Sequence, residues 1–331
     1  MVSPRLPFFG LCMSDCLVTG GAGFIGSHLV EALVASGHRV RVLDDFSTGN
    51  EANLCAVRDR IDLLAGNVTE VATVRQAMRG IGWVFHLAAL PSVQRSIEDP
   101  MTTHAVCATG TLNVLVCAKD AGVQRVVYAG SSSAYGDIPG TIRREGDPVA
   151  PISPYGAAKL AGEHYCRCFT MSQGLETVRL RFFNIFGPRQ DPSSPYSGVI
   201  ALFIKAMAAG LAPTIYGDGL QSRDFTYVTN AVRATQQAAV APGAVGQVYN
   251  IGCGQSINLL HLVQSLNHLL ERNLQPLHHP PRAGDVRHSE ADIAGARRDL
   301  GYEPEISFGD GLRRTLDAFL RLSGNPSLRA L

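Results

Sequence analysis

Tyr155 and Lys159 stand four residues apart in SPYGAAKLAGE, downstream of three consecutive serines, Ser131-Ser132-Ser133. On a helix that begins near Tyr155 this spacing stacks both side chains on one face. An ammonium beside a phenol favours the phenolate, and a positively charged nicotinamide nearby lowers the phenol pKa further, so the pair can take a hydroxyl proton near neutral pH. The chain has nine tyrosines and only three lysines, Lys119, Lys159 and Lys205. Random placement predicts roughly 0.08 YxxxK pairs in such a chain. Where arginine supplies almost all the other positive charge, a lysine here serves as a compact ammonium able to reach ribose hydroxyls, which a planar guanidinium does poorly. Without the serines the pair reads as a helical surface pair, and without the tyrosine the serines read as an ordinary turn.

A second group of residues is suited to holding phosphate. Gly20, Gly23 and Gly26 in GGAGFIG give a GxxGxxG pattern between an apolar strand and a helix. Gly20 permits a tight turn, Gly23 lets backbone approach a pyrophosphate, and Gly26 lets helix and strand pack closely. The first backbone N–H groups of the helix, at Phe24 and Ile25, point toward the anion. Asp44 ends the next apolar run, where a carboxylate accepts from both adenine-ribose hydroxyls and repels a 2′-phosphate, which favours NAD over NADP. Leu87, Ala88 and Ala89 close VFHLAA with small residues that can pass under the nicotinamide ribose. Asn67 and Val68 follow another strand and are placed to meet adenine.

The elements that must position these groups alternate in the βαβ manner. Strand at Cys16 to Thr19, helix at Phe24 to Ser36, Gly37 as stop and strand at Arg39 to Leu43 come first, and apolar runs at Ile61-Leu64, Trp83-Leu87, Val126-Ala129 and Thr177-Phe183 follow between helical stretches. This predicts an α/β fold, a doubly wound parallel Rossmann sheet covered by helices on both faces. Beyond Gly187 the rhythm breaks into GPRQDPSSPYSG, a helix from Val199 to Gly210 and a short strand at Pro213-Tyr216, while 225 to 252 resembles sheet-domain material again. The expected division is a mobile extension over 1–13, an NAD-binding domain of 14–186 plus 225–253, a smaller, sequence-interleaved substrate lobe of 187–224 plus 254–322, and a tail from 323.

With 331 residues, 46% of them hydrophobic, the chain can bury a sizeable core. Its 17% charged residues and formal net charge of +1 offer no broad field for nucleic acid or an anionic membrane. Apolar runs read as too short to cross a bilayer, and no cleavable leader is evident, which makes the expected location cytoplasmic. The eight cysteines lack paired CxxC spacing, so no metal site is expected. Cys166 and Cys168 diverge on a helix, and His278-His279 reads as a polar loop.

On these residues the chain resembles the extended short-chain dehydrogenase/reductase family over 14 to 320. TGGAGFIGSHL, LDDFSTG, VFHLAA, YAGSSSAYG, SPYGAAKLAGE, LRFFNIFGPRQ, GDGLQSRDFTYV, YNIG and RAGDVRHS are similar to successive blocks of its UDP-hexose 4-epimerase branch. GPRQDP, SRDF and GDVRHSEADI are most similar to UDP-N-acetylglucosamine 4-epimerases. The resemblance implies NAD as cofactor, with Asp45, Ser47, Thr48 and Gly49 of LDDFSTG against it, and a homodimer joined through two helices per subunit. It implies Ser132 as the hydroxyl acting with Tyr155, with Ser133 as the other choice, and Asn184, Val199, Tyr216, Arg223, Arg282 and Asp285 around a nucleotide-sugar, the arginines on its diphosphate. It makes Ser289 the wall of the sugar pocket, where family members with tyrosine handle plain hexoses and small residues leave room for an N-acetyl group. Two departures are Asn67, usually Asp, and Thr109, often Asn.

Family dehydratases place an Asp-Glu pair in the segment held here by Ser133-Ala134, and decarboxylases a glutamate in the same segment; both are absent. The implied reaction is loss of the sugar 4-hydroxyl proton to Tyr155, hydride transfer from C4 to NAD, rotation of the 4-keto sugar and return of hydride to the other face. The rival readings are a nucleotide-sugar dehydratase or reductase and an NAD-sensing scaffold without catalysis.

Overall fold

The computed structural model describes residues 14–192, 198–281 and 286–322. The expected 1–13 extension, the tail and the two arginine-loop residues Arg282 and Asp285 lie outside the described residues. Seven parallel strands form the central sheet: β1 (Asp15–Thr19), β2 (Arg39–Asp44), β3 (Ile61–Ala65), β4 (Trp83–His86), β5 (Arg125–Ser131), β6 (Glu176–Phe182) and β7 (Val248–Ile251). Their order across the sheet is β7-β6-β5-β4-β1-β2-β3. The chain thus runs outward in opposite directions from β1 and β4, and the crevice above that junction is where open α/β sheets bind ligands.

Strand alternation divides the core between the two faces. Cys16 and Val18 of β1 and Val127 of β5 pack in one cluster with Leu29 and Leu33, whereas Leu17 of β1 and Val126 and Tyr128 of β5 pack in another with Val114, Cys166 and Phe169. With both faces covered, every residue of β5 is buried. Three helices matter for the site: α1 (Phe24–Ala35), α2 (Pro100–Asp120) and α3 (Pro154–Gln173). α1 starts at Phe24 as the glycine pattern predicts, and Gly37 follows its end in a left-handed conformation, φ 86°. Ser153 caps α3 by accepting from Gly156 N at 3.1 Å, and Pro154 occupies its first turn, which fixes where the YxxxK face begins.

α2 corrects the expectation that no segment is long enough to cross a bilayer. By length and composition alone this 21-residue helix is. About half of its most apolar stretch is buried inside the protein, where Gly110, Thr111 and Leu115 are covered and Thr111 lies under Gly162 of α3. The apolar face therefore has a protein partner. A π-helical turn at Ala105–Thr109 interrupts it.

The smaller sheet gathers Ile257–Asn258, Ser222–Arg223, His288–Ala291 and Ile142–Arg143. Ile142–Arg143, from within the span expected to belong wholly to the NAD-binding domain, pairs with Glu290 and Ala291. The interleaving is consequently deeper than composition indicates. His278-His279 is also not a loop: Leu277–His279 pairs with Thr214–Tyr216, and the His279 ring packs on Tyr216 with centroids 5.6 Å apart.

Candidate active site

Thr19, Asp44, Ala65, His86, Ser131 and Phe182 end six neighbouring strands, and the residues at and after them enclose a cleft of about 1310 Å³. The cleft brings together every residue expected at the cofactor: Gly20, Gly23, Phe24, Ile25, Gly26, Asp44, Asp45, Ser47, Thr48, Gly49, Asn67, Val68, Leu87, Ala88, Ala89, Tyr155 and Lys159. Gly20 adopts φ 72°, and a Cβ there would lie 2.7 Å from Ala88 N, while one on Gly26 would lie 2.0 Å from Gly20 O. A Cβ on Gly23 meets only Gly20 O, at 3.2 Å. Two glycines are thus required by the fold itself, and at the third a Cβ would make one tight contact, with the Gly20 carbonyl oxygen, at the helix start. No side chain caps α1 and no acid lies in its first turn, so this N-terminus suits a diphosphate.

Asp44 is buried and tied down. Its Oδ2 accepts from Ala22 N at 2.8 Å and its Oδ1 from Phe46 N at 2.9 Å. Burial raises its pKa and these bonds oppose the rise. Asn67 donates to Asp45 Oδ2 at 2.6 Å and accepts from Thr69 N and Oγ1. An aspartate at 67 would set two carboxylates against each other here, whereas the asparagine amide donates to Asp45.

The YxxxK face carries Tyr155 and Lys159 one turn apart on α3, and both line the cleft. Lys159 is buried, its Nζ donates to Ala129 O at 2.9 Å and lies 5.1 Å from the Tyr128 ring centre, and burial lowers its pKa. Tyr155 has its pKa raised by burial, then by the nearby Cys107, against a lowering hydrogen bond from Ser131. Lys159 stands one helical turn from this phenol, and the further lowering expected from a positively charged nicotinamide belongs to the occupied cofactor site. Behind this group His86 is buried between Thr19 Oγ1 (2.7 Å) and Thr111 Oγ1 (2.9 Å) and is held neutral, its pKa pushed down to about 3 by burial and by Lys159.

Of the three serines, Ser131, the last residue of β5, is the one that acts to lower the Tyr155 pKa. Ser131 also accepts from Ser133 N at 3.1 Å, capping the short turn Ser132–Ala134. Ser132 and Ser133 line the cleft from that turn. Counting within the run could not separate these choices, because alternation at a strand end decides which hydroxyl faces the helix.

Among the expected substrate residues, Ser132, Ser133 and Asn184 line the cleft, and Val199, Tyr216, Arg223 and Ser289 are not among its lining residues. Asn184 carries φ 25°, an uncommon conformation for a residue with a Cβ, and its carbonyl accepts from Thr226 N at 3.2 Å. Val199 opens the helix whose Ala201 and Ile204 do reach the cleft. Arg223 and Ser289 are direct neighbours on adjacent strands. Sequence reasoning missed Arg189, which also lines the cleft and binds α1 through Ser27 Oγ (3.1 Å) and Glu31 Oε1 (2.5 Å).

A strand order of this kind, with a glycine turn at its switch point and a tyrosine-lysine helix beside it, defines a nucleotide-cofactor enzyme of the Rossmann class. The family profile of the NAD dependent epimerase/dehydratase family matches residues 16–252, and the chain belongs to that family. It is 38% identical over 307 residues, 92% of this chain and 97% of the other, to a UDP-glucose 4-epimerase of Mycolicibacterium smegmatis. A UDP-N-acetylglucosamine 4-epimerase from Methanobrevibacter ruminantium, in complex with UDP-N-acetylmuramic acid, superposes with TM-score 0.89 at 35% identity over 94% of this chain and 99% of that one. A UDP-glucose 4-epimerase of Thermus thermophilus in complex with NAD gives 0.86 at 35% identity, over 92% and 99%. The cofactor of the family is NAD, and the cradle described above fits it.

Proposed function

We propose that the protein is a UDP-sugar 4-epimerase that interconverts UDP-N-acetylglucosamine and UDP-N-acetylgalactosamine, and less readily UDP-glucose and UDP-galactose. The observation that carries this reading is the placing of Ser131, Tyr155 and Lys159 together in the lining of the NAD cleft, with no carboxyl group in the turn that follows Ser131. NAD, when bound, supplies a two-electron acceptor and a positive charge. Tyr155 holds and returns the 4-hydroxyl proton, Ser131 orients that hydroxyl, and Lys159 holds the ribose while keeping positive charge behind the phenol. With Ser132 and Ser133 next to Ser131, no side chain there can protonate a leaving hydroxyl or remove a second proton, so elimination has no acid or base. Arg223 serves the diphosphate and Ser289 the acetamido side of the sugar. The chain works as a homodimer in this reading, supported by exposed apolar side chains on the two helices concerned: Met101 and Val116 on α2, Tyr165 and Met171 on α3.

Incubating the purified protein with single UDP-sugars and following products by NMR tests the reading. Epimer formation without stoichiometric added NAD supports it. Build-up of free NADH, or a deoxygenated keto sugar as product, replaces it with a dehydrogenase or dehydratase.

A further inference from the structure

Tyr155 and Lys159 are two members of a longer series. Glu163 is the next residue at i+4 on α3, so all three lie on one helical face. Unlike the first two, Glu163 turns away from the cleft. Its carboxylate accepts from Arg181 on β6 twice, Nε at 2.9 Å and Nη2 at 2.6 Å, and both side chains are only 4% exposed. Arg181 is paired in register with Gly130 of β5, the residue before Ser131. Its guanidinium lies 4.6 Å from the ring centre of Tyr135. Tyr135 in turn closes the serine turn, its N donating to Ser132 O at 3.1 Å, and its hydroxyl donates to Asn250 Oδ1 at 2.7 Å.

One buried fork therefore touches both halves of the reacting group. Through Glu163 it holds the helix that carries Tyr155. Through Tyr135 and the neighbouring strand it holds the turn that begins at Ser131. Helix and strand come close enough here that a Cβ on Gly162 would lie 2.5 Å from Tyr128 Oη, so a small slide of α3 is resisted by packing but its register along β5 needs a directional contact.

We infer that Glu163 and Arg181 are positioning residues of the reaction, fixing the alignment of the Tyr155 phenol with the Ser131 hydroxyl. This deepens the epimerase reading and rests on it for its turnover assay. A buried ion pair replaced by apolar side chains of similar size is often no less stable, whereas removing one partner strands a charge. That difference separates positioning from stability. Three variants are compared with the unmodified protein: Glu163→Gln, Arg181→Lys and the double change Glu163→Leu with Arg181→Met. Each is measured for Tm, bound NAD, KM, kcat and the pH profile of kcat on a UDP-sugar that the unmodified protein converts.

The double variant should recover the Tm that Glu163→Gln loses, keep NAD, and change KM by no more than about twofold. Its kcat should still fall by roughly ten- to hundredfold, the scale of a displacement of about 1 Å at reacting groups. The limb of its pH profile set by Tyr155 should move upward, since the Ser131 bond that favours the phenolate is lost. Arg181→Lys, which keeps the charge and loses the fork, should fall between. A folded, NAD-loaded double variant with unchanged kcat overturns the inference, and so does a Glu163→Gln protein whose only change is in Tm. If Glu163→Gln does not fold, the double variant and Arg181→Lys decide the matter by the same criteria. Absence of turnover in the unmodified protein is a failure of the epimerase reading instead; the inference is then judged by ultraviolet difference titration of the Tyr155 phenol, taken against Tyr155→Phe. An unshifted titration in both the double variant and Arg181→Lys overturns it.

Discussion

At the scale of single residues the choice between adjacent serines has a measurable outcome. Removing a hydrogen bond to a group that becomes charged costs about 1.5–3 kcal/mol, or roughly ten- to hundredfold in rate. Ser131→Ala should lower kcat by that factor with bound NAD unchanged, while Ser132→Ala should stay within about threefold; the reverse order in steady-state kinetics would return the role to Ser132. Tyr155→Phe, which removes only the phenolic oxygen, should lose about 10²–10⁴ in kcat and still bind NAD. Asp224 makes a separate prediction. It is fully buried, accepts from Cys253 N (2.7 Å), Gly254 N (2.9 Å) and Ala291 N (3.2 Å), and burial outweighs these bonds to raise its pKa to about 6. A carboxyl held above its unfolded value stabilises the fold below that value and loses this contribution as pH rises through the folded pKa. Asp224→Asn lacks the titration, so its stability deficit relative to the unmodified protein should narrow by about 2 kcal/mol between pH 4 and 6.5 in denaturant melts. A widening deficit would put the folded pKa below the ordinary carboxylate value.

At the scale of elements the glycine turn separates what the fold needs from what the cofactor needs. Gly26→Ala places a Cβ 2.0 Å from the Gly20 carbonyl oxygen, and overpacking of this sort costs about 1–3 kcal/mol. It should lower Tm and NAD content together. Gly23→Ala has only Gly20 O nearby, at 3.2 Å. It should keep most of its Tm and lose NAD, read by extraction and absorbance; retention of NAD would move the diphosphate away from Gly23. This turn was legible in the sequence because its requirements are local: a strand, three glycines and a helix start occupy one short stretch. The register of Tyr155 and Lys159 was legible for the same reason, since one helix carries both. Ser131 was not, because the direction of a side chain at the end of β5 depends on where the strand stops. The strand character of Leu277–His279 and the Arg189 and Glu163–Arg181 contacts were also hidden. Each depends on a partner that the chain reaches only through the fold, such as Thr214–Tyr216 for the first.

At the scale of the whole molecule, the fold places Ser289, the proposed specificity position, on the same small sheet as Arg223, the arginine proposed for the diphosphate. Ser289 is 8% exposed on the strand His288–Ala291, directly beside Arg223, and its carbonyl accepts from Asp224 N at 2.8 Å. Its backbone is thus fixed from one side by the Asp224 hub, so a larger side chain at 289 cannot be absorbed by moving the strand. The new volume has to go toward the sugar or into the packing. A tyrosine there occupies space that the acetamido group at C2 needs while the keto sugar rotates, and a plain hexose lacks that group. Ser289→Tyr should therefore lose turnover of UDP-N-acetylglucosamine and UDP-N-acetylgalactosamine by about a hundredfold or more, a difference of the size that steric exclusion gives in a packed pocket, and change that of UDP-glucose and UDP-galactose by less than about fivefold. Tm measured alongside separates exclusion from misfolding, because a packing defect lowers both activities with the Tm. Equal loss on the two substrate pairs at unchanged Tm, or preference of the unmodified protein for UDP-glucose, would remove Ser289 as the determinant and move the specificity to the side of the cleft formed by Asn184.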